Sequence, residues 1–486
     1  MTAEETLWTF EELVKAIDGR PVGPAPEVVT GISIDSRTIS RGDVFFAIRG
    51  DTFDGHAFVS MALGAGAATA VVSESKLASL GHVSRSLVVV DDVLVAMVAL
   101  AQAARARSQA RIAAVTGSVG KTGTKAMLAA ALEPSGLVHA SPASFNNHWG
   151  VPLSLARMRP SERFGVFEIG MNHAGEIAAL VPLVKPQVAI ITTIEPVHLE
   201  YFDSVEGIAR AKAEIFLGVT PGGAAVLNRD NVYFDLLVSL AQAAGVERVV
   251  SFGEHPEADA RLEDVDLGAD RSSALATILG QEIAYELGAP GRHMVHNSLA
   301  VLATTSLLGA DLEGGAAALG QIGAEPGRGA RHRLEVPNGI ATLIDESYNA
   351  NPASMRAAIA LLGQATPGPN GRRFAVLGEM RELGDEAAAM HAGLATPLVE
   401  AAVDAVFVAG PMMAALWDAL PESQRGGYAE TAAELEPVIA DILGAGDVVM
   451  IKGSNASRMG PLAAVLKERF GAPPADAGGG QGREIA

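Results

Sequence analysis

Short apolar segments alternate with Ala- and Gly-rich amphipathic segments along most of the chain. Near the N-terminus the apolar runs are GISIDS (31–36), DVFFAI (43–48), ATAVVSE (68–74) and SLVVVDD (86–92). Their length and their Val, Ile and Phe content are typical of strands, and the stretches between them are typical of helices. We therefore predict a small α/β domain over residues 1–107.

The alternation continues through two longer segments. The runs RIAAV, FGVFEIG, VAIITTI and GGAAVLN predict a parallel sheet with covering helices over residues 108–325. The runs IATLIDES, RFAVLGE, AVFVAG and DVVMIKGS predict a Rossmann-like domain over residues 326–470. Residues 471–486 are rich in Gly and Pro and are predicted to be disordered. The expected fold is thus three α/β domains.

The composition disfavours several classes of partner and of site chemistry. The net charge of −20 over 486 residues disfavours nucleic acid as a partner. The absence of Cys excludes disulfides, thiolate metal sites and thiol nucleophiles. The opening MTAEETLWTFEELVKAIDG lacks the regions of a signal peptide, and Asp91 and Asp92 interrupt the most apolar stretch. We expect a soluble cytoplasmic protein without a membrane span.

A phosphate-binding motif follows the first strand of the middle segment. The sequence TGSVGKTGTKAML contains G-x-x-G-K-T, with Val115 where the longer pattern has Gly. It lies between a predicted strand and a predicted helix, the setting that a phosphate cradle requires. The alternative is a glycine-rich turn before an ordinary helix. The predicted nucleotide-contacting residues are Gly117, Ser118, Val119, Gly120, Lys121, Thr122 and Gly123.

Polar residues after the next strands are candidates to face the bound nucleotide, and Glu168 among them is a candidate metal ligand. Glu168 lies near the end of the apolar run FGVFEIG, and His198 comes shortly after the run VAIITTI. Lys212 lies on the helix predicted to follow. In an open parallel sheet, ligands bind beyond the carboxyl ends of the strands, and a carboxylate there suits Mg²⁺. The alternatives are a surface carboxylate, a structural histidine and a solvated lysine. Because the chain has only eight lysines against 28 arginines, each Lys in these segments, including Lys125 and Lys452, is a candidate for a role that Arg cannot fill.

At this point the chain resembles a known family. GSVGKT, FNNHWGVPLSL, FEIGMNHAGEI, TTIEPVHLEYF, IARAKAEIF, GRHMVHNSLAVLA, DESYNANPASM and IKGSNASRMG occur in the order found in the Mur ligases of peptidoglycan synthesis, over residues 10–470. SYNANP and EIGMNHAGEI resemble the member that adds D-alanyl-D-alanine to a UDP-N-acetylmuramoyl-tripeptide. The resemblance implies a monomeric ATP- and Mg²⁺-dependent ligase that forms its peptide bond through an acyl phosphate, with residues 1–107 binding the UDP-muramoyl peptide.

The resemblance also implies roles for individual residues. The catalytic set is Lys121, Glu168, His198, Lys212 and Arg333. The metal ligands are Thr122, Glu168, His198 and Lys212, with Lys212 carried as a carbamate. The nucleotide contacts beyond the phosphate loop are Asn297 on adenine, Arg333 on ATP, and either Asp345 or Glu346 on the ribose. The substrate contacts are Ser36, Arg37, Asn146, Asn147, Asn349 and Asn351.

Two residues depart from the family pattern. Gly123 replaces the Ser or Thr that usually follows K-T, which weakens the first helical turn by roughly 1 kcal/mol relative to Ala. Met294 stands where many relatives have Asn.

Two rival functions stay open: a ligase of the same superfamily that adds a diamino acid or glutamate, and an NTP-driven switch that hydrolyses nucleotide without joining anything.

Overall fold

The computed structural model describes residues 6–50, 52–81, 86–141 and 144–471. Gly471, the first residue of the predicted tail, forms an isolated antiparallel bridge with Leu334. The remaining tail residues, 472–486, lie outside the described residues. No helix among the described residues is long and apolar enough to cross a membrane.

The N-terminal part forms a five-stranded sheet with strand order β2-β7-β6-β5-β4, in which only β2 is antiparallel to its neighbour. A separate two-stranded pair, β1 with β3, lies beside it. The strands are β1 (Trp8–Thr9), β2 (Arg20–Val22), β3 (Val28–Val29), β4 (Gly31–Ser33), β5 (Asp43–Phe46), β6 (Thr69–Ser73) and β7 (Leu87–Val90). The helices are α1 (Phe10–Ala16), α2 (Val59–Ala65), α3 (Glu74–Leu77) and α4 (Val93–Arg107).

The central part forms a nine-stranded sheet with strand order β16-β15-β14-β13-β12-β11-β8-β10-β9. The strands are β8 (Arg111–Thr116), β9 (Val138–Ala140), β10 (Phe164–Glu168), β11 (Val188–Ile191), β12 (Ala224–Asn228), β13 (Arg248–Gly253), β14 (Ala260–Leu267), β15 (Ser272–Ile278) and β16 (Gln281–Leu287). The helices are α5 (Lys121–Leu132), α6 (Gly150–Ala156), α7 (Glu176–Val184), α8 (Val205–Ala213), α9 (Phe234–Ala243), α10 (Arg292–Leu307) and α11 (Leu312–Leu319).

Strand β8 lies between β10 and β11, and the three run parallel. They are buried almost throughout because hydrophobic cores cover both faces of the sheet, which explains their nearly continuous apolar sequences. The register pairs Glu168 with Val115 and Ile191 with Thr116. The carboxyl ends of these strands therefore meet at one edge, where the chain changes direction across the sheet.

The C-terminal part forms a six-stranded sheet with strand order β17-β18-β22-β19-β20-β21, parallel except for β17. Its strands are β17 (Ala330–Val336), β18 (Gly339–Glu346), β19 (Arg373–Gly378), β20 (Ala405–Ala409), β21 (Arg425–Ala429) and β22 (Val448–Lys452). Its helices are α12 (Pro352–Gln364), α13 (Ala387–Ala392), α14 (Ala395–Glu400), α15 (Ala414–Ala419), α16 (Ala432–Ile442) and α17 (Met459–Phe470).

The α/β architecture predicted from the alternating pattern is confirmed. The three large sheets use residues 20–90, 111–287 and 330–452, each inside one predicted range, while the domain boundaries themselves stay predictions. The antiparallel extension β14-β15-β16 was not predicted. Its last hairpin turns at Leu279 and Gly280, which both have positive φ, as a two-residue hairpin turn requires.

Candidate active site

The phosphate loop connects β8 to α5 with the geometry of an anion cradle. Gly117 and Gly120 have φ of 146° and 83°, and α5 begins directly after Gly120. A Cβ on Gly117 would lie 1.9 Å from Thr192 Oγ1, and one on Gly120 would lie 2.6 Å from Asn297 Nδ2. Both positions therefore exclude side chains. Backbone N–H groups at the start of α5 face outward, with the positive end of the helix dipole behind them.

Lys121 lies at the first position of α5. Its Nζ donates to the carbonyl of Gly117 at 2.8 Å, so its side chain closes over the loop to which it belongs. Burial lowers the pKa of Lys121, and the nearby Glu168 carboxylate acts in the opposite direction. A phosphate oxygen in the cradle could replace the Gly117 carbonyl as the partner of this amine.

Glu168 ends β10 with its carboxylate almost fully buried, at 1% exposure. Its Oε1 accepts a hydrogen bond from Asn146 Nδ2 at 2.8 Å. Its Oε2 is buried and has no hydrogen-bond partner among the described residues, although Lys125 Nζ lies 3.8 Å away. A buried carboxylate oxygen without a partner is costly unless a cation or a donor completes its environment. The site therefore has a position for a cation beside the phosphate loop.

Lys212 lies on α8 with 1% of its surface exposed. No acidic side chain in the described part of the chain pairs with it. Burial and repulsion by Lys121 hold the pKa of Lys212 well below its ordinary value. Burial therefore shifts this side chain toward the neutral amine, which is the nucleophilic form of lysine.

His198 lies in the loop after β11 with a left-handed backbone, φ 56°. Its Nδ1 forms a hydrogen bond with Oε2 of Glu382, which lies in the loop after β19 of the C-terminal sheet. This bond joins the central and C-terminal sheets across the cleft between them.

The ends of β18, β22 and β19 form the opposite wall of the cleft. The register pairs Lys452 with Glu346, and Lys452 Nζ donates to Glu346 Oε2 at 3.2 Å and to the carbonyl of Asn349 at 3.0 Å. A second contact crosses the cleft: Tyr348 Oη donates to Ser144 Oγ at 2.8 Å.

Between these walls lies a cavity of about 860 Å³. It brings together most of the residues that the sequence singled out. Those that line it are Ser118, Val119, Gly120, Lys121, Thr122, Gly123, Asn146, Glu168, His198, Asn297, Glu346, Asn349 and Asn351. Gly117 belongs to the loop but does not line the cavity, and neither does Lys212, whose side chain is close enough to Lys121 for the two charges to repel. Asn351 also caps α12 by accepting from Ser354 N.

Several predicted residues lie elsewhere. Arg333 is exposed on β17 opposite Thr342 and does not line the cavity. Asp345 is buried and pairs with Lys467 Nζ at 2.8 Å, so of the two predicted ribose-contacting acids only Glu346 reaches the cavity.

Three predicted substrate contacts also lie outside this cavity. Asn147 accepts from Gly150 N at 2.9 Å and thus holds the start of α6. Ser36 and Arg37 lie in the N-terminal part, where Arg37 pairs with Asp35. These residues have no part in the cavity between the central and C-terminal sheets.

The sequence prediction missed Arg328 and Glu382 and gave Lys125 and Lys452 no specific role. Arg328 lines the cavity with its guanidinium 3.9 Å from the centre of the Tyr348 ring, and it precedes β17 in the segment EPGRGARHRLEV. This segment holds three arginines, and no local signal distinguishes the one at the cleft. Lys125 and Lys452 were marked only by the scarcity of lysine. Glu382 carried no signal, because its partner His198 is distant in sequence.

The architecture and the cleft define a class of protein: an α/β enzyme in three parts whose phosphate loop faces the C-terminal sheet across a cavity. Residues 28–112 match the Mur ligase family catalytic domain, residues 115–305 the Mur ligase middle domain, and residues 332–455 the Mur ligase glutamate ligase domain. The chain belongs to the Mur ligase family.

Its relatives include one particular member of that family. The UDP-N-acetylmuramoyl-tripeptide–D-alanyl-D-alanine ligase of Rickettsia prowazekii is 31% identical over 428 residues, which cover 88% of this chain and 93% of that one. A crystal structure of MurF from Acinetobacter baumannii is 30% identical with a TM-score of 0.81, covering 95% of this chain and 99% of that chain. MurF ligase from Thermotoga maritima, solved in complex with ADP, is 26% identical with a TM-score of 0.73, covering 90% and 98%.

Proposed function

We propose that the protein is an ATP-dependent ligase that joins D-alanyl-D-alanine to a UDP-N-acetylmuramoyl-tripeptide, the last cytoplasmic step of peptidoglycan precursor synthesis. The observation that carries this proposal is the cavity, which is lined both by the phosphate loop and by residues 348–351 of the segment SYNANP. The relatives named for this reaction cover nearly the whole chain, which supports the same conclusion. The protein is expected to act as a monomer in the cytoplasm.

The reaction that we propose has two steps. An oxygen of the tripeptide carboxylate attacks the γ-phosphorus of ATP, the bond to the β-phosphate oxygen breaks, and ADP leaves. The amine nitrogen of D-alanyl-D-alanine then attacks the acyl carbon, loses a proton, and expels inorganic phosphate from the tetrahedral intermediate. Phosphorylation is needed because an oxide ion is a far poorer leaving group than phosphate. The first step brings two anions together, and the second develops negative charge on the tetrahedral intermediate and the leaving phosphate. Charge neutralisation is therefore the main task of the protein.

The phosphate loop carries out the first part of that task. Gly117, Val119 and Gly120 are expected to present N–H groups to the β- and γ-phosphates, whereas the Ser118 N–H donates to the Thr193 carbonyl at 2.9 Å. Lys121 exchanges the Gly117 carbonyl for a phosphate oxygen. Arg328, which lines the cavity, takes the role expected for Arg333. Asn297 lies against the loop and would contact adenine, with Glu346 on the ribose.

The chemistry of the donor set suits Mg²⁺. Among the described residues no three acidic or histidine side chains lie close enough to hold a metal without other ligands. Mg²⁺ commonly uses one or two protein ligands together with phosphate oxygens and water, and the unpartnered Oε2 of Glu168 beside Thr122 fits that pattern. Thr122, Glu168 and His198 would hold the ion. When bound, Mg²⁺ would neutralise charge on the transferring phosphoryl group.

Lys212 would act as a carbamate. Its neutral amine nitrogen can attack CO₂ and lose a proton, which converts a buried base into an anion. An anion at this position would compensate the nearby Lys121 charge and support the metal. This accounts for the burial of a lysine that has no acidic partner in the described part of the chain.

The predicted substrate contacts lie in all three parts of the chain. Ser36 and Arg37 are expected to bind the UDP sugar, with Asn146 and Asn147 near the muramoyl end. Asn349 and Asn351, on the C-terminal wall, are expected to meet the incoming dipeptide. Asn146 has a second role, because it fixes Oε1 of Glu168.

The proposal is tested by the amine dependence of phosphate release. With ATP, Mg²⁺ and the UDP-linked tripeptide, phosphate release is expected to require D-alanyl-D-alanine and to yield a product whose mass is the sum of the two substrates less water. Release driven by meso-diaminopimelate or glutamate on a shorter UDP-linked precursor would assign another ligase of the family. Release without any amine would assign a nucleotide-hydrolysing switch.

A further inference from the structure

Glu382 connects the C-terminal sheet to a proposed metal ligand of the central sheet. Its Oε2 bonds to Nδ1 of His198, across 184 residues of sequence. Both side chains lie on the wall of the 860 Å³ cavity. The contact therefore lies at the site itself and joins the two parts that form it.

The backbones of the two loops also dock against each other. His198 and Glu382 have φ of 56° and 62°, a region that non-glycine residues rarely occupy. The N–H of Glu200 donates to the carbonyl of Glu382 at 3.3 Å. A Cβ on Gly384, which has φ 58°, would lie 3.7 Å from the carbonyl oxygen of Leu199. Unfavourable backbone conformations persist where surrounding contacts hold them, and they concentrate at functional sites.

The hydrogen bond determines which nitrogen of His198 is available. When Nδ1 carries the proton and donates to a carboxylate, Nε2 keeps its lone pair for a metal ion. The carboxylate also fixes the orientation of the ring.

We propose that Glu382 is a positioning residue that orients His198 toward the metal. The docking of the C-terminal part would thereby complete a metal ligand in the central part. The inference rests on the proposed function in one respect, the assignment of His198 as a ligand. It extends that assignment by making metal affinity depend on a residue from the other side of the cleft.

The test is Mn²⁺ binding in the presence of ADP, followed by electron paramagnetic resonance on the full chain. Glu382→Ala is expected to weaken Mn²⁺ binding by about tenfold or more, as is typical when the partner of a histidine ligand is lost. ADP affinity in EDTA is expected to stay unchanged. Glu382→Gln, which keeps a hydrogen-bond acceptor, is expected to bind Mn²⁺ more tightly than Glu382→Ala. Glu386→Ala, at an exposed position on the same segment, is the matched control and is expected to match wild type.

A double-mutant cycle tests whether Glu382 acts through His198. In a His198→Ala background, Glu382→Ala is expected to cause no further loss of Mn²⁺ affinity. A further loss would mean that Glu382 acts independently of His198 and would overturn the proposal. Unchanged Mn²⁺ binding in Glu382→Ala would overturn it too, as would Glu382→Gln and Glu382→Ala binding equally weakly. These measurements contain no tripeptide or amine, so their outcome is separate from the identity of the reaction.

Discussion

Replacing Gly123 with Ala tests how the phosphate-loop helix is built. Gly123 lies in the first turn of α5, and a Cβ there would lie 3.5 Å from Met294 Cε and 3.6 Å from Met294 Sδ, at ordinary van der Waals distance. The two departures from the family pattern therefore face each other. Ala at a helical position is favoured over Gly by about 1 kcal/mol, and each new carbon contact adds only about 0.1–0.2 kcal/mol. Gly123→Ala is expected to stabilise the protein by about 1 kcal/mol.

Fluorescence of Trp149 provides the assay. The chain has three tryptophans, and Trp8 and Trp417 lie outside the central sheet, so a Trp8→Phe, Trp417→Phe background isolates the central signal. In that background the melting temperature of Gly123→Ala is expected to rise by about 2–4 °C for a domain of this size.

Gly120→Ala is the matched control. Gly120 has φ of 83° and lies where a Cβ would come within 2.6 Å of Asn297 Nδ2, so this variant should lose stability and nucleotide affinity. A lower melting temperature for Gly123→Ala would refute the reasoning, since it would mean that Met294 cannot accept even one methyl group.

Three further predictions concern charged and titrating groups. Lys212→Ala is expected to abolish a carbamate signal from ¹³C-bicarbonate in NMR spectra; an unchanged signal would exclude this residue as its source. Arg328→Ala should reduce kcat/KM by about 100-fold, as the loss of a donor to a transition-state anion does, while Arg333→Ala should stay near wild type; the reverse order would show that the cleft closes further than the structure indicates. His391 is fully buried, accepts from Met380 N at 3.0 Å, and has its pKa lowered by burial. As pH falls below about 6.5, His391 therefore binds a proton in the unfolded chain before it does so in the folded protein. Urea denaturation is expected to show that the free energy of unfolding decreases by at most about 1.4 kcal/mol per pH unit through this residue. An equally steep decrease in His391→Gln would contradict this assignment.

The sheets and the phosphate loop were predictable because their signals are local. Strand β8 and helix α5 follow from a buried apolar run, two glycines and a helix-prone segment, all contiguous in sequence. Glu168 was predictable for a related reason, because the end of a buried strand in a parallel sheet faces the ligand edge.

The other residues of the site could not be predicted, because they depend on which face of a strand a side chain occupies and on partners that are distant in sequence. Asp345 and Glu346 are neighbours on β18 and face opposite sides, so only their partners distinguish them: Lys467 holds Asp345, and Lys452 meets Glu346 at the cavity. Arg328 reaches the cleft because β17 begins after it, and a boundary of this kind is not readable from composition. Glu382 depends on a contact between two sheets that no local pattern indicates.

The central claim is that the phosphoryl group held by the loop is transferred to a carboxylate. A UDP-linked tripeptide labelled with ¹⁸O in its terminal carboxylate tests this claim directly. Mass spectrometry of the inorganic phosphate released during turnover with D-alanyl-D-alanine is expected to find one ¹⁸O atom per phosphate, because the acyl phosphate breaks between its carbon and the bridging oxygen. Phosphate that carries no label would mean that water accepts the phosphoryl group, and would contradict the account.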